Sequence, residues 1–75
     1  MQFEERKIDD ADLALLYLTL HDGNRAWKTL DWDAMDRLYQ RGLISNPASR
    51  AKSVTLSDDG LALSKQLAHD LFAAK

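Results

Sequence analysis

The chain has no cysteine, one proline and three glycines in 75 residues. Without cysteine it has neither disulfides nor thiolate metal ligands to hold a small fold together, a pattern that fits a reducing compartment. So few prolines and glycines, beside 45% hydrophobic and 29% charged residues, separate it from disordered chains and place it among ordinary globular ones. Long hydrophobic runs are missing too. The most apolar stretch, near Leu13 to Leu20, is too short to span a bilayer, and the opening M-Q-F-E-E-R-K lacks the apolar centre of a signal peptide. We therefore expect a cytoplasmic protein with no membrane contact.

The residues of catalysis are equally sparse. His21 and His69 stand far apart, each followed by an aspartate, without the i, i+4 spacing of a zinc site. Neither G-x-G-x-x-G nor G-x-x-x-x-G-K occurs, so no phosphate-cradling loop is expected. The pairs Asp9-Asp10 and Asp58-Asp59 fall at expected helix starts, where capping and the helix dipole account for them. A serine, a histidine and an aspartate occur in any chain of this length and by themselves make no triad. We expect no catalytic residue, no cofactor, no metal and no small-molecule ligand, and hence no enzyme.

A chain this short is expected to form one domain, residues 1–75, and to bury only about 60% of the surface its unfolded form exposes. With disulfides excluded, oligomerisation is the remaining common support for so small a core. The net charge of −2 conceals a division along the chain: residues 1–24 sum to −4, residues 25–52 to +3 and the remainder to −1. A basic excess confined to the middle points toward a polyanion.

Periodicity divides the chain into elements. A first helix is expected from about Asp10 to Leu20, with Asp9 or Asp10 as N-cap and Leu13, Leu16, Tyr17 and Leu20 on the core face. Leu15 and Leu18 lie off that stripe, so the helix is apolar round most of its girth and implies a second covering element or subunit. Asp22-Gly23 ends it. The following N-R-A-W-K-T-L is too short for a second helix with turns at both ends, and Ala26-Trp27 reads as a short edge strand. Trp27 and Trp32 read as core-edge aromatics, with base stacking as the alternative.

The stretch L-D-W-D-A-M-D-R-L-Y-Q-R-G-L-I, from Leu30, holds the central helix, with Asp31 as N-cap, Met35, Leu38 and Tyr39 buried, and Gly42 as the stop. Asp33, Asp36, Arg37, Gln40 and Arg41 are left outside, Asp33 and Arg37 being an attractive i, i+4 pair. Leu43 to Ser45 should form a strand pairing with the alternating Ser53 to Leu56. The loop between them lacks a tight-turn signal and bears Arg50 and Lys52 at an exposed tip. A last helix starts at the N-cap Ser57 and runs to about Ala73. Its stripe is Leu63, Leu67 and Leu71, widened by Leu61, Ala68 and Phe72. The expected fold is α+β and mostly helical: a truncated winged-helix-like domain with three helices and a small β-hairpin wing.

The segments A-L-L-Y-L-T-L-H-D (Ala14 to Asp22), R-A-W-K (Arg25 to Lys28), D-W-D-A-M-D-R-L (Asp31 to Leu38) and K-S-V-T-L-S-D-D-G (Lys52 to Gly60) together resemble a family of small bacterial proteins known as domain of unknown function 6429. That resemblance covers nearly the whole chain and implies no activity. G-L-I followed by V-T-L-S-D-D-G is similar, more loosely, to the wing of winged-helix transcription regulators of the multiple-antibiotic-resistance and PadR types. This second resemblance implies a dimer that binds DNA by a helix in the major groove and a wing on the backbone. The chain departs from that pattern in its collapsed second helix and in Asp31 and Asp33 at the start of the helix that would enter the groove.

Two functions follow as expectations. In one, a dimeric winged helix binds nucleic acid through Arg37 and Arg41 on the central helix and Arg50 and Lys52 on the wing. In the other, the same residues serve a protein-interaction module without DNA binding, its central helix docking an acidic or amphipathic partner, and the aspartates that would repel phosphate are part of that recognition. The surplus apolar residues Leu15, Leu18, Leu61, Ala68 and Phe72 predict a homodimer built from the first and last helices.

Overall fold

A computed structural model describes residues 2–29 and 31–74. Met1, Leu30 and Lys75, which the expected domain limits and the central stretch include, lie outside the described residues. The elements run α1 (Glu5–Leu18), β1 (Arg25–Trp27), α2 (Trp32–Gln40), β2 (Ser53–Thr55) and α3 (Asp58–Phe72). Among the described residues the molecule is thus mostly helical α+β, with three helices and one two-stranded antiparallel sheet. No described helix is long and apolar enough to cross a membrane.

The helix α1 packs against both other helices, whereas the backbones of α2 and α3 do not approach each other closely among the described residues. That packing buries Leu13, Ala14 and Leu16, whereas Leu15 and Leu18, which widen the apolar girth, stay exposed. The helix begins earlier than expected, at Glu5, and Glu4 occupies the N-cap position without a side-chain cap. Asp9 and Asp10, the expected caps, therefore lie within the helix, Asp9 buried and Asp10 3.7 Å from Arg6. The expectation failed because the Asp9 carboxylate finds its partner, Arg37, on another element, which local cap chemistry does not reveal. The helix stops at Leu18, and Asp22 and Gly23, both with positive φ, make a tight turn closed by mutual His21 and Arg25 main-chain hydrogen bonds. That turn launches β1.

The strand β1 pairs with β2 in the register Arg25 to Thr55, Ala26 to Val54 and Trp27 to Ser53. Ala26 and Val54 enter the core, while Arg25 and Trp27 point outward, as a period of two demands. The expected hairpin partner contributes less. Ile44 makes a single bridge to Leu56 on the other side of β2, reinforced by Ser45 N–H donating to the Thr55 carbonyl at 2.8 Å. The loop of residues 45–52 thus starts and ends beside β2, and its Asn46 side chain accepts from Ala48 N–H in a local turn.

The cap of α2 is as expected, Asp31 Oδ1 accepting from Ala34 N–H at 3.0 Å. Its end is a Schellman motif: Leu43 N–H reaches the Leu38 carbonyl, Gly42 N–H reaches Tyr39, and Gly42 takes φ +75. Leu38 and Leu43, the apolar pair such a motif brings together, both join the core cluster with Leu13, Leu16, Met35, Ile44, Val54 and Leu56. Ala34 is fully buried, and Tyr39, expected inside, is 39% exposed.

The cap of α3 is Ser57, accepting from Gly60 N–H. Its deepest residues are Gly60, Ser64 and Ala68, with Leu61, Leu63 and Leu67 half-buried around the core and Leu71 exposed. The expected leucine stripe is therefore a flank. Small residues at i, i+4, i+8 let the backbone of α3 come close to its neighbours, which leucines at those positions would prevent.

Candidate functional site

The four cations singled out in the sequence divide sharply. Arg37 lies against α1: its Nε and Nη2 donate to both oxygens of Asp9 at 2.7–3.0 Å, and Nη1 reaches Glu5 at 3.4 Å. Asp9 is only 3% exposed, so this bidentate pair is partly desolvated. Donating to Asp9 holds the guanidinium charge even more firmly than usual. The expected Asp33–Arg37 pair is thus replaced by a tertiary one. Next to it, Thr29 Oγ1 donates to Asp12 at 2.9 Å, and burial pushes the Asp12 carboxyl above its ordinary range despite that bond.

Arg41, Arg50 and Lys52 are exposed. No carboxylate occurs in residues 41–57. Lys28 is tied to this segment twice, its N–H donating to the Lys52 carbonyl at 3.1 Å and its ammonium to the Ser49 carbonyl at 2.7 Å. The loop and the end of β1 thereby form one basic surface, to which Arg25 adds a guanidinium steadied by Ser53 Oγ and Asp22. Lys28 and Arg25 were not among the expected site residues, although R-A-W-K read as a strand places Arg25 and Trp27 on one side.

Trp27 borders this surface. It is 54% exposed and stacks on His21 with ring centroids 4.4 Å apart at 27°. It is no core-edge residue. The outer face of α2 has the opposite character: Trp32, Asp36 and Tyr39, at i, i+4, i+7, are exposed beside Asp33. Elsewhere, Tyr17, Leu18, Ala68, His69, Phe72 and Ala73 line an open groove of about 240 Å³ between the last turns of α1 and α3. That is below the usual size of a small-molecule pocket.

These features define a small α+β domain with a basic sheet-and-loop surface and an acidic, aromatic helix face. The chain belongs to the family described as Domain of unknown function (DUF6429), whose model matches residues 4–74. It is 53% identical over 72 residues to the uncharacterized protein y4hR of Sinorhizobium fredii (strain NBRC 101917 / NGR234), covering 96% of this chain and 97% of that protein. No solved structure matches the chain.

Proposed function

We propose that this protein is a non-enzymatic, winged-helix-like nucleic-acid-binding domain that grips phosphate with its loop and sheet edge. The observation that carries this reading is the carboxylate-free segment 41–57 with Arg41, Arg50 and Lys52 exposed and Lys28 fastened to it. The placing of β2 between β1 and the Ile44 bridge supports the winged-helix reading, with residues 45–52 as the wing. Arg37 has no part in phosphate contact here, because its donors are directed to Asp9 and Glu5.

A homodimer belongs to the same reading. Ile8, Ala11, Leu15 and Leu18 recur on α1 at the a and d spacing of two heptads, and Leu15 and Leu18 are 46% and 60% exposed. A second copy laid along that seam would cover them and set two wings on one duplex or strand.

A second reading rests on α2. Trp32 and Tyr39 are of the types that dominate protein interfaces, and Asp33 and Asp36 beside them favour a basic protein partner. A titration with random-sequence DNA at about 50 mM salt separates the two readings. Nucleic-acid binding through Arg41, Arg50 and Lys52 gives a log–log salt slope of about −3 per subunit and is lost when Arg50 and Lys52 become Glu. Asp33→Asn with Asp36→Asn strengthens such binding, whereas it weakens a complex with a basic protein. No binding of wild-type protein to DNA at that salt would refute the nucleic-acid reading.

A further inference from the structure

We infer that Trp27, held by His21, is a stacking platform for an unpaired base, so that the preferred ligand is single-stranded nucleic acid. This rests on the nucleic-acid reading above and narrows it. Trp27 is more than half exposed, yet it is not a free side chain. His21 stacks on it, the His21 Nδ1 lies 3.0 Å from the Thr19 carbonyl, and the mutual His21 and Arg25 main-chain hydrogen bonds hold the base of the turn. A ring fixed in advance loses little side-chain freedom when a second flat group stacks on it.

The neighbours supply the charge that a strand requires. Arg25 shares the outward face of β1 with Trp27, and Lys28 follows directly, bonded through its main chain to Lys52. A base stacked on Trp27 would thus carry its flanking phosphates toward Lys52 and Arg50. Duplex bases already have both faces stacked on each other, so an indole platform selects a base outside a helix. Trp32 is an internal comparison. It is as exposed as Trp27, but Asp31 and Asp33 on either side of it repel phosphate.

The experiment uses Trp32→Phe protein, in which fluorescence reports on Trp27 alone, titrated with a short oligothymidylate and with a duplex of equal length. Oligothymidylate is expected to quench the emission and to bind more tightly than duplex. Trp27→Ala should weaken oligothymidylate binding by about 5- to 150-fold, the cost of one lost base–aromatic stack, while duplex affinity changes less than twofold. Trp27→Phe, which keeps a ring, should recover most of the loss and shows that the strand still forms. Unquenched emission, or oligothymidylate binding indifferent to Trp27→Ala, overturns the platform; the phosphate reading then survives only if charge reversal at Arg50 and Lys52 still abolishes binding. Failure of both nucleic acids to bind overturns both.

Discussion

Arg37 on α2 and Asp9 on α1 are joined by a two-pronged ion pair, Nη2 at 2.7 Å from Oδ1 and Nε at 2.8 Å from Oδ2. It clamps the first and second helices across 28 residues of sequence and withdraws one arginine from the outer surface. Removing the arginine strands a buried carboxylate, whereas replacing both partners removes the desolvation cost along with the attraction. Arg37→Met is therefore expected to melt well below the wild type, and the double variant Asp9→Leu with Arg37→Met to recover most of that loss. Thermal melts of the three proteins check it; a double variant no more stable than Arg37→Met would contradict it.

A methyl group at Gly60 would fall on the Leu43 carbonyl oxygen, with the Leu43 carbonyl carbon at 3.0 Å and its Cα at 3.3 Å. The obstruction is backbone, and Ser57 N–H already donates to the same oxygen at 3.0 Å. Alanine gains about 1 kcal/mol over glycine in helix propensity, but overpacking costs about 1–3 kcal/mol, and here about 2–3 because the backbone neighbour cannot rotate away. Gly60→Ala is expected to be destabilising by about 1–2 kcal/mol net in chemical denaturation.

Asp12 supplies a pH dependence. Its carboxyl is raised first by burial and further by Asp31 and Asp9, against the Thr29 hydrogen bond. The folded state thus holds this proton to a higher pH than the unfolded one. The sign follows: stability from this group falls as pH rises from the ordinary carboxyl value through the raised one, and the penalty is complete above it. Asp12→Asn, which can still accept from Thr29, should raise Tm at pH 7, and the gain should vanish once pH drops below the ordinary carboxyl value. A Tm difference that does not change with pH would refute this.

The apolar seam on α1 predicts assembly. Light scattering at high micromolar concentration is expected to give twice the monomer mass, and Leu15→Lys with Leu18→Lys to give the monomer mass with an unchanged fold by circular dichroism. A monomeric wild type would rule out the seam as a self-contact.

Local chemistry written in consecutive residues was enough to determine the ends of α2 and the start of α3. Asp31 and Ser57 cap because their side chains reach the amide three residues on, and Gly42 stops α2 because it alone among its neighbours tolerates positive φ cheaply. The strand at Ala26-Trp27 was legible for the same reason: the interval was too short for anything else. Tertiary structure decided what depends on partners distant in sequence. Asp9 looked like a cap until α2 brought Arg37 to it, so one expected site residue became an internal tie. The leucines of α3 looked like its core until the close approach of α1 and Leu43 selected Gly60, Ser64 and Ala68 instead. Trp27 looked like a core-edge aromatic until pairing with β2 fixed which side of β1 faced water. Periodicity assigns residues to faces, but only packing decides which face is covered, because burial is a property of the neighbours as much as of the residue.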